Sequence, residues 1–268
     1  MNVRTIVGML LVAGVSAGSV AAQSLPAAVA ALPASARRVY YQAAFEQQAT
    51  QLYTRMKLGA TGLTLPVFRE GLVGYYNLRR SGQRASSPPV LTLIDFSRPS
   101  QQKRLWVIDV TRAKVLFHTL VAHGKASGGD VPVAFSNRDG SEMSSLGFYR
   151  TAPSTYTGKH GLSLKIQGLD PGFNTNAESR AVVVHGAEYV CEDFVKAHGR
   201  LGRSQGCPAL PVAETAAIVK AIQGGSVVYL HGPAGAGYRS QWLNLDTAVA
   251  AYAGLNMANG EGRANGGE

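Results

Sequence analysis

The chain is short of the residue types that usually announce a function. Two cysteines, Cys191 and Cys207, stand in 268 residues, too few for a disulfide framework and not spaced as zinc ligands. No His-Glu-x-x-His stretch is present either, so the common metalloenzyme patterns are missing, and neither metal nor cofactor is expected. Acidic residues are scarce: 16 Asp and Glu against 26 Lys and Arg give a formal charge of +10. Such a surface attracts polyanions over long range and in a salt-sensitive way. The basic residues are scattered, and no nucleic-acid module or stacking pattern accompanies them, so nucleic acid is not the expected partner. Acidic wall polymers or anionic lipid surfaces are the counterparts an exported protein meets, and a solvated basic surface with no partner is the plain alternative. Long apolar runs are lacking beyond Ile6–Val20. That run is too short and Gly-rich for a comfortable membrane span. With Arg4 before it and Ala21 and Ala22 after it, it has the three parts of a secretory signal. Cleavage is expected near Ala22, leaving an exported, periplasmic chain with no stable membrane span. No cysteine follows the small residues, so lipid attachment there has no support.

The remaining chain divides by pattern. Residues 23–80 form a helical region: Leu25–Leu58 is Ala- and Gln-rich with apolar residues at helical spacing, simplest as two helices. Pro66 opens a further amphipathic helix over Val67–Arg80. Residues 81–89 are rich in Ser, Gly and Pro and read as a linker. From Val90 the pattern changes to short Val-, Leu- and Ile-rich runs separated by turn residues. They are Val90–Phe96, Arg104–Val110, Lys114–Ala122, Gly147–Arg150, Ser163–Leu169, Arg180–His185 and Ser226–His231, which predict a mainly β domain over residues 90–233. Glu188–Ala197 and Ala213–Ile222 read as short helices within it, and residues 234–268 as an extension disordered from Asn256.

The chemistry concentrates in one segment. Val182-Val183-Val184-His185-Gly186 sets a histidine at the exit of a buried-looking strand. Five of the six histidines precede a glycine (His123, His160, His185, His198 and His231), so the pair alone selects none of them. Downstream stands Gly202-Arg203-Ser204-Gln205-Gly206-Cys207-Pro208-Ala209. A thiol attacks a carbonyl only as thiolate, and a neighbouring imidazole favours that form by ion pairing. Gly206 allows an unusual backbone, and its N–H with that of Cys207 forms a candidate oxyanion hole. A buried structural cysteine in a tight turn is the competing reading of Gly-Cys-Pro. Cys191, in the helical-looking stretch Tyr189–Phe194, reads as a packing residue, with a disulfide to Cys207 as the alternative.

His-Gly at a strand end followed by Ser-x-Gly-Cys resembles the murein L,D-transpeptidase (YkuD-like) catalytic domain family, in its branch ending Gly-Arg-Ser-x-Gly-Cys-Pro-Ala. Eighteen residues separate His185 from Ser204, more than in the usual motif, and Gln205 stands where that motif has a second His. Leu93–Phe96, Arg104–Asp109, Val121–Lys125, Phe135–Asn137, Ser144–Tyr149 and Gly158–Gly161 follow the same branch in order, so the likeness runs from Leu72 to Leu230. The resemblance implies a β-sandwich-like domain of mixed sheets with short helices, its nucleophile in a cleft beneath a flap. It implies that Cys207 attacks a tetrapeptide stem of peptidoglycan, that His185 is the base, and that the Gly186 carbonyl holds the other ring nitrogen. Arg203 and Ser204 match motif positions and are expected to steady the loop or bind a substrate carboxylate. Tyr149 and His160 match the branch as candidate cleft-lining residues, against core or turn packing.

An amine from a second stem, or from a wall or outer-membrane protein, would resolve the thioester by transpeptidation, and water by L,D-carboxypeptidation. Three other readings are a metal enzyme, sortase-like protein anchoring with an Arg at the oxyanion, and a non-catalytic wall-binding module. Thiol alkylation, a stem peptide offered alone, and Cys207→Ala separate them from the first.

Overall fold

The computed structural model describes Val29 and residues 31–81 and 88–264. The expected signal, residues 1–22, and most of the linker lie outside them. Of the two helices expected before Leu58, the described residues contain α1 (Ala34–Arg55), whose buried Phe45, Ala49 and Leu52 form one stripe. A short turn of 3-10 helix over Leu58–Thr61 leads to α2 (Leu65–Arg80), with Pro66 in its first turn and Arg79 and Arg80 in its last. Both placements suit a helix: Pro lacks a donor that the first turn does not need, and cations favour the C-terminal end of the dipole.

The sheet follows: β1 (Val90–Asp95), β2 (Leu105–Asp109), β3 (Lys114–Thr119), β4 (Gly147–Thr151), β5 (Tyr156–Gly158), β6 (Gly161–Gly168), β7 (Val183–Gly186), β8 (Ala209–Leu210) and β9 (Val227–His231). Helices α3 (Glu192–His198) and α4 (Val212–Ile222) flank β8, and α5 (Leu245–Ala264) ends the described chain. Strand order is β3-β2-β1-β9-β4-β6-β7-β8, with β5 paired to β6. The pairs β1/β9 and β7/β8 are parallel and the others antiparallel. Beyond β3 the chain continues to Ala122, whose N–H donates to Ala209 O at 2.9 Å. The two ends of the strand order therefore meet, and the mixed sheet is nearly closed, as the mainly β expectation requires.

Alternation along the strands supplies two cores. Leu91, Leu93, Trp106, Ile108, Phe148 and Tyr229 point to one face, against the helices. Val90, Ile94, Leu105, Val107, Val228 and Leu230 point to the other, where Ile218, Val219 and Ile222 of α4 join them. Because both faces are covered, β1, β2 and β9 read as continuous apolar runs rather than polar-apolar alternation. The helical region is continuous with the sheet. At Gly71 and Gly74 of α2 an added Cβ would lie 2.3 Å from Leu93 Cδ2 and 2.1 Å from Phe148 Cε1, so glycine lets the helix lie directly on β1 and β4. Phe45 and Tyr252 close edge-on around Tyr76 on the other side. The linker thus separates stretches of chain and not hydrophobic cores. Helix α5 also continues past Asn256, where disorder was expected from composition; an established helix extends at little cost per residue, because its nucleus is already formed.

Candidate active site

The parallel pairing of β7 with β8 sets His185 opposite Ala209 and Gly186 opposite Leu210. Two residues back along both strands, Val183 meets the loop that carries Cys207, and the Val183 N–H lies 3.4 Å from Cys207 Sγ. The sulfur also lies 3.8 Å from Ala181 O. His185 is 2 % exposed, its Nδ1 2.9 Å from Gly186 O. With that carbonyl as acceptor, Nδ1 carries the proton and Nε2 keeps its lone pair. His160, at the tip of the β5–β6 hairpin, stacks on His185 with ring centroids 4.4 Å apart and planes 24° apart. The expected cleft-lining role of His160 is consistent with this contact.

Electrostatics in the resting site differ from a preformed ion pair. Burial pushes the Cys207 thiol pKa up, opposed by the Val183 N–H and by the Arg180 charge. Burial likewise pushes the His185 imidazole down, opposed by its bond to Gly186, with His160 adding to the fall. The two shifts favour a neutral thiol and a neutral imidazole. The hydrogen-bond contacts of the thiol go to Val183 N–H and Ala181 O.

The Cys207 loop is held from within. Ser204 Oγ donates to Cys207 O at 2.6 Å and accepts from Gly206 N at 3.0 Å. The Gly206 N–H, expected as half of an oxyanion hole, is thereby occupied, and Cys207 N–H is the member of that pair Ser204 does not claim. Ser204 N bonds His123 O at 2.9 Å, and Lys125 N bonds Ser204 O at 2.8 Å. Arg203 donates through Nη1 to Lys125 O and Gly128 O, at 3.2 and 2.8 Å, so of its two expected roles the geometry matches loop support. Tyr149 differs from its expectation as a cleft residue. It is 0 % exposed, with its hydroxyl on Ser145 O at 3.0 Å, because β4 turns that side chain into the inner core. Cys191 caps α3, accepting from Phe194 N at 3.4 Å, and both cysteines are free thiols.

Two contributors were not legible in the sequence. Arg180, the first residue of an expected strand, brings its guanidinium to the Cys207 loop across a fold-determined contact. Arg104, 0 % exposed, donates to His123 Nδ1 at 2.7 Å and to Val121 O at 3.0 Å, stiffening the segment on which Ser204 hangs. A lone Arg at a strand start carries no spacing signal for either role. Among the described residues no group of three His, Cys, Asp or Glu side chains is gathered to hold a metal ion, and no helix is long and apolar enough to cross a membrane.

Solved structures with similar folds include an L,D-transpeptidase from Mycobacterium smegmatis, 15 % identical over 54 % of this chain and 59 % of that one, with a TM-score of 0.34. The helical cell shape determining protein Pgp2 of Campylobacter jejuni is 12 % identical over 70 % of this chain and 64 % of that one, with a TM-score of 0.40. An L,D-transpeptidase from Stackebrandtia nassauensis is 13 % identical over 73 % and 93 %, with a TM-score of 0.33. The first two likenesses span under two thirds of those chains' lengths, and at these scores none carries an argument about activity. No curated protein matches the chain. The model of the L,D-transpeptidase catalytic domain matches residues 60–231, starting before α2 and ending with β9, and on that match the chain belongs to the L,D-transpeptidase catalytic domain family.

Proposed function

We propose that the protein is an exported cysteine L,D-transpeptidase acting on the tetrapeptide stems of peptidoglycan through a Cys207 thioester, with His185 as base. The observation that carries the reading is a thiol loop laid against β7 beside a buried histidine whose Nδ1 is committed to Gly186 O at 2.9 Å. That commitment leaves Nε2 free to accept a proton, the arrangement acyl transfer to a thiol requires.

Sγ turns about the single χ1 bond of Cys207 toward His185, gives its proton to Nε2 and bonds the stem carbonyl. The carbonyl oxygen takes the negative charge, stabilised by a backbone donor such as Cys207 N–H. When the carbonyl reforms, the bond to the terminal D-alanine breaks and its amine leaves with the proton from Nε2. An acceptor amine then attacks the thioester, losing its proton to the same nitrogen, and the thiol is regenerated. Water in place of the amine gives L,D-carboxypeptidase activity. An amine on a second stem or on a wall or outer-membrane protein gives cross-linking or attachment. His160, flat against His185 on an exposed hairpin tip, covers the base from solvent. None of these steps calls for a metal or cofactor. Export rests on the signal pattern of residues 1–22, and the mature chain is expected to have no stable span.

Incubation with a disaccharide tetrapeptide followed by mass spectrometry tests the reading. The expected result is a Cys207 adduct with loss of D-alanine, absent in Cys207→Ala, and the soluble products identify the acceptor. An unaltered substrate with no adduct would overturn it. If Cys207→Ala leaves wall binding and the cellular phenotype unchanged, a binding module is the better account.

A further inference from the structure

The Cys207 loop is approached from one side by a cation that the proposed chemistry has not yet used. Arg180 lies three residues before Val183, the first residue of β7, whose N–H contacts the thiol. Between them Ala181 adopts φ +53, a left-handed conformation that strains a non-glycine residue. The kink turns Ala181 O toward Sγ, at 3.8 Å, and sends the Arg180 side chain to the far side of the same loop. There an added Cβ on Gly206 would sit 3.2 Å from Arg180 Nη2 and 2.8 Å from Met143 O. Gly206 itself has φ +123, so glycine at this position serves both the turn and the close approach of the guanidinium.

The partners of that guanidinium are all uncharged. Nη1 donates to Ser136 O at 2.7 Å and Ser145 Oγ at 2.5 Å, and Nη2 to Ser141 Oγ at 3.2 Å and Met143 O at 2.6 Å. Four of its five N–H groups are thereby spent, leaving no fork with which to grip a substrate carboxylate. The nearest acid in that loop, Glu142, is turned away to Lys125, Nζ to Oε1 at 2.7 Å, and to Gln205. Other titratable groups round the thiol do not supply a positive charge in the resting state. His185 is favoured neutral by its burial, and burial with the neighbouring Cys207 holds the Tyr189 hydroxyl up to about 12. Glu178, on the turn that precedes Arg180, is exposed and meets Ala181 through its backbone carbonyl.

The geometry points to Arg180 as a positioning residue of the proposed thioester chemistry, a fixed positive charge that favours the Cys207 thiolate and the anionic intermediate formed from it. This rests on the reading of Cys207 as nucleophile and deepens it. When Sγ loses its proton to His185 Nε2, the new negative charge forms one residue from Gly206, against which an uncompensated guanidinium is held, in a half-buried site where water screens it weakly. A rigid set of neutral acceptors holds the charge in place without cancelling it, so no reorganisation is needed as the thiolate forms.

The test reads the thiol and not the turnover. In a Cys191→Ser background, which keeps a good N-cap on α3, Cys207 is alkylated with iodoacetamide across pH 5 to 10 in the wild type, Arg180→Gln and Arg180→Lys. Removing one opposite charge from the surroundings of a half-buried thiol is worth about tenfold in thiolate fraction. Arg180→Gln is therefore expected to move the alkylation midpoint to higher pH and to slow the reaction at neutral pH by about tenfold, whereas Arg180→Lys keeps the wild-type midpoint. Superimposable midpoints for Gln and wild type overturn the proposal, as does a Lys variant shifted as far as Gln, which would make the role purely structural. Should Arg180→Gln not fold, Arg180→Met takes its place as the uncharged variant, with the same upward shift expected and a wild-type midpoint overturning the proposal. Because no stem peptide enters the assay, a chain that fails to form a thioester but shows the Arg180-dependent midpoint refutes the proposed function and not this charge.

Discussion

Ser204→Ala should loosen the Cys207 loop at a cost that can be worked from two bonds. Ser204 is 6 % exposed, and its hydroxyl serves as donor to Cys207 O at 2.6 Å and as acceptor from Gly206 N at 3.0 Å. Losing the donor removes one neutral hydrogen bond, worth about 1 kcal/mol net, while leaving the buried Gly206 N–H without an acceptor costs about 1–3 kcal/mol more. The backbone bridges from Ser204 to His123 and Lys125 do not involve the side chain and survive, so the loop stays attached at its start and loosens at Gly206. We expect Ser204→Ala to destabilise by about 2–4 kcal/mol. Urea unfolding followed by far-ultraviolet circular dichroism would show it as a lower midpoint at constant slope. A loss below about 0.5 kcal/mol, the range of ordinary surface substitutions, would mean that water replaces the hydroxyl and that the loop is held elsewhere.

Three further outcomes follow from the same contacts. Gly74→Ala brings a methyl to 2.1 Å from the Phe148 ring; overpacking of about 1–3 kcal/mol outweighs the gain of about 1 kcal/mol in helix propensity, so the variant should melt lower, and an unchanged or raised melting temperature would argue against α2 lying directly on the sheet. Burial, and secondarily Arg104, hold the His123 imidazole down to about 4, so the unfolded chain binds that proton first as pH falls. Stability contributed by neutral His123 is complete above pH ~6.5 and lost down to pH ~4, amounting to about 3 kcal/mol; His123→Gln should flatten this part of the curve, and an identical pH dependence in the variant counts against it. Gly206→Ala places a Cβ in a left-handed turn against Met143 O, at about 1–3 kcal/mol of strain, and should slow Cys207 alkylation; an unaffected rate would show that the loop adapts.

Much of the architecture was legible because it is local. The strands from Val90 to His231 announced themselves by short apolar runs between turn residues, and α2 by Pro66 ahead of a periodic stretch. β8, only Ala209–Leu210, and β5, only Tyr156–Gly158, fall below the length at which alternation can be recognised. Yet β8 is the strand that aligns the Cys207 loop with His185. Helix α3 begins at Glu192, later than the apolar pattern from Glu188 predicts, because Cys191 takes the cap position.

The mainly β class, the order of the elements and the candidate pair His185 and Cys207 were legible along the chain, since strand periodicity, glycine turns and a short motif are all written in neighbouring residues. Tertiary structure alone decided what surrounds that pair. It buried Tyr149, turned Arg203 to the loop at Lys125, spent the Gly206 N–H on Ser204, stacked His160 on His185 and brought Arg180 to Gly206. Several of these contacts join residues from separate strands and loops, and their outcome depends on which side of a strand faces the core and how closely two backbones approach. Spacing along the chain does not encode either quantity; packing in three dimensions does.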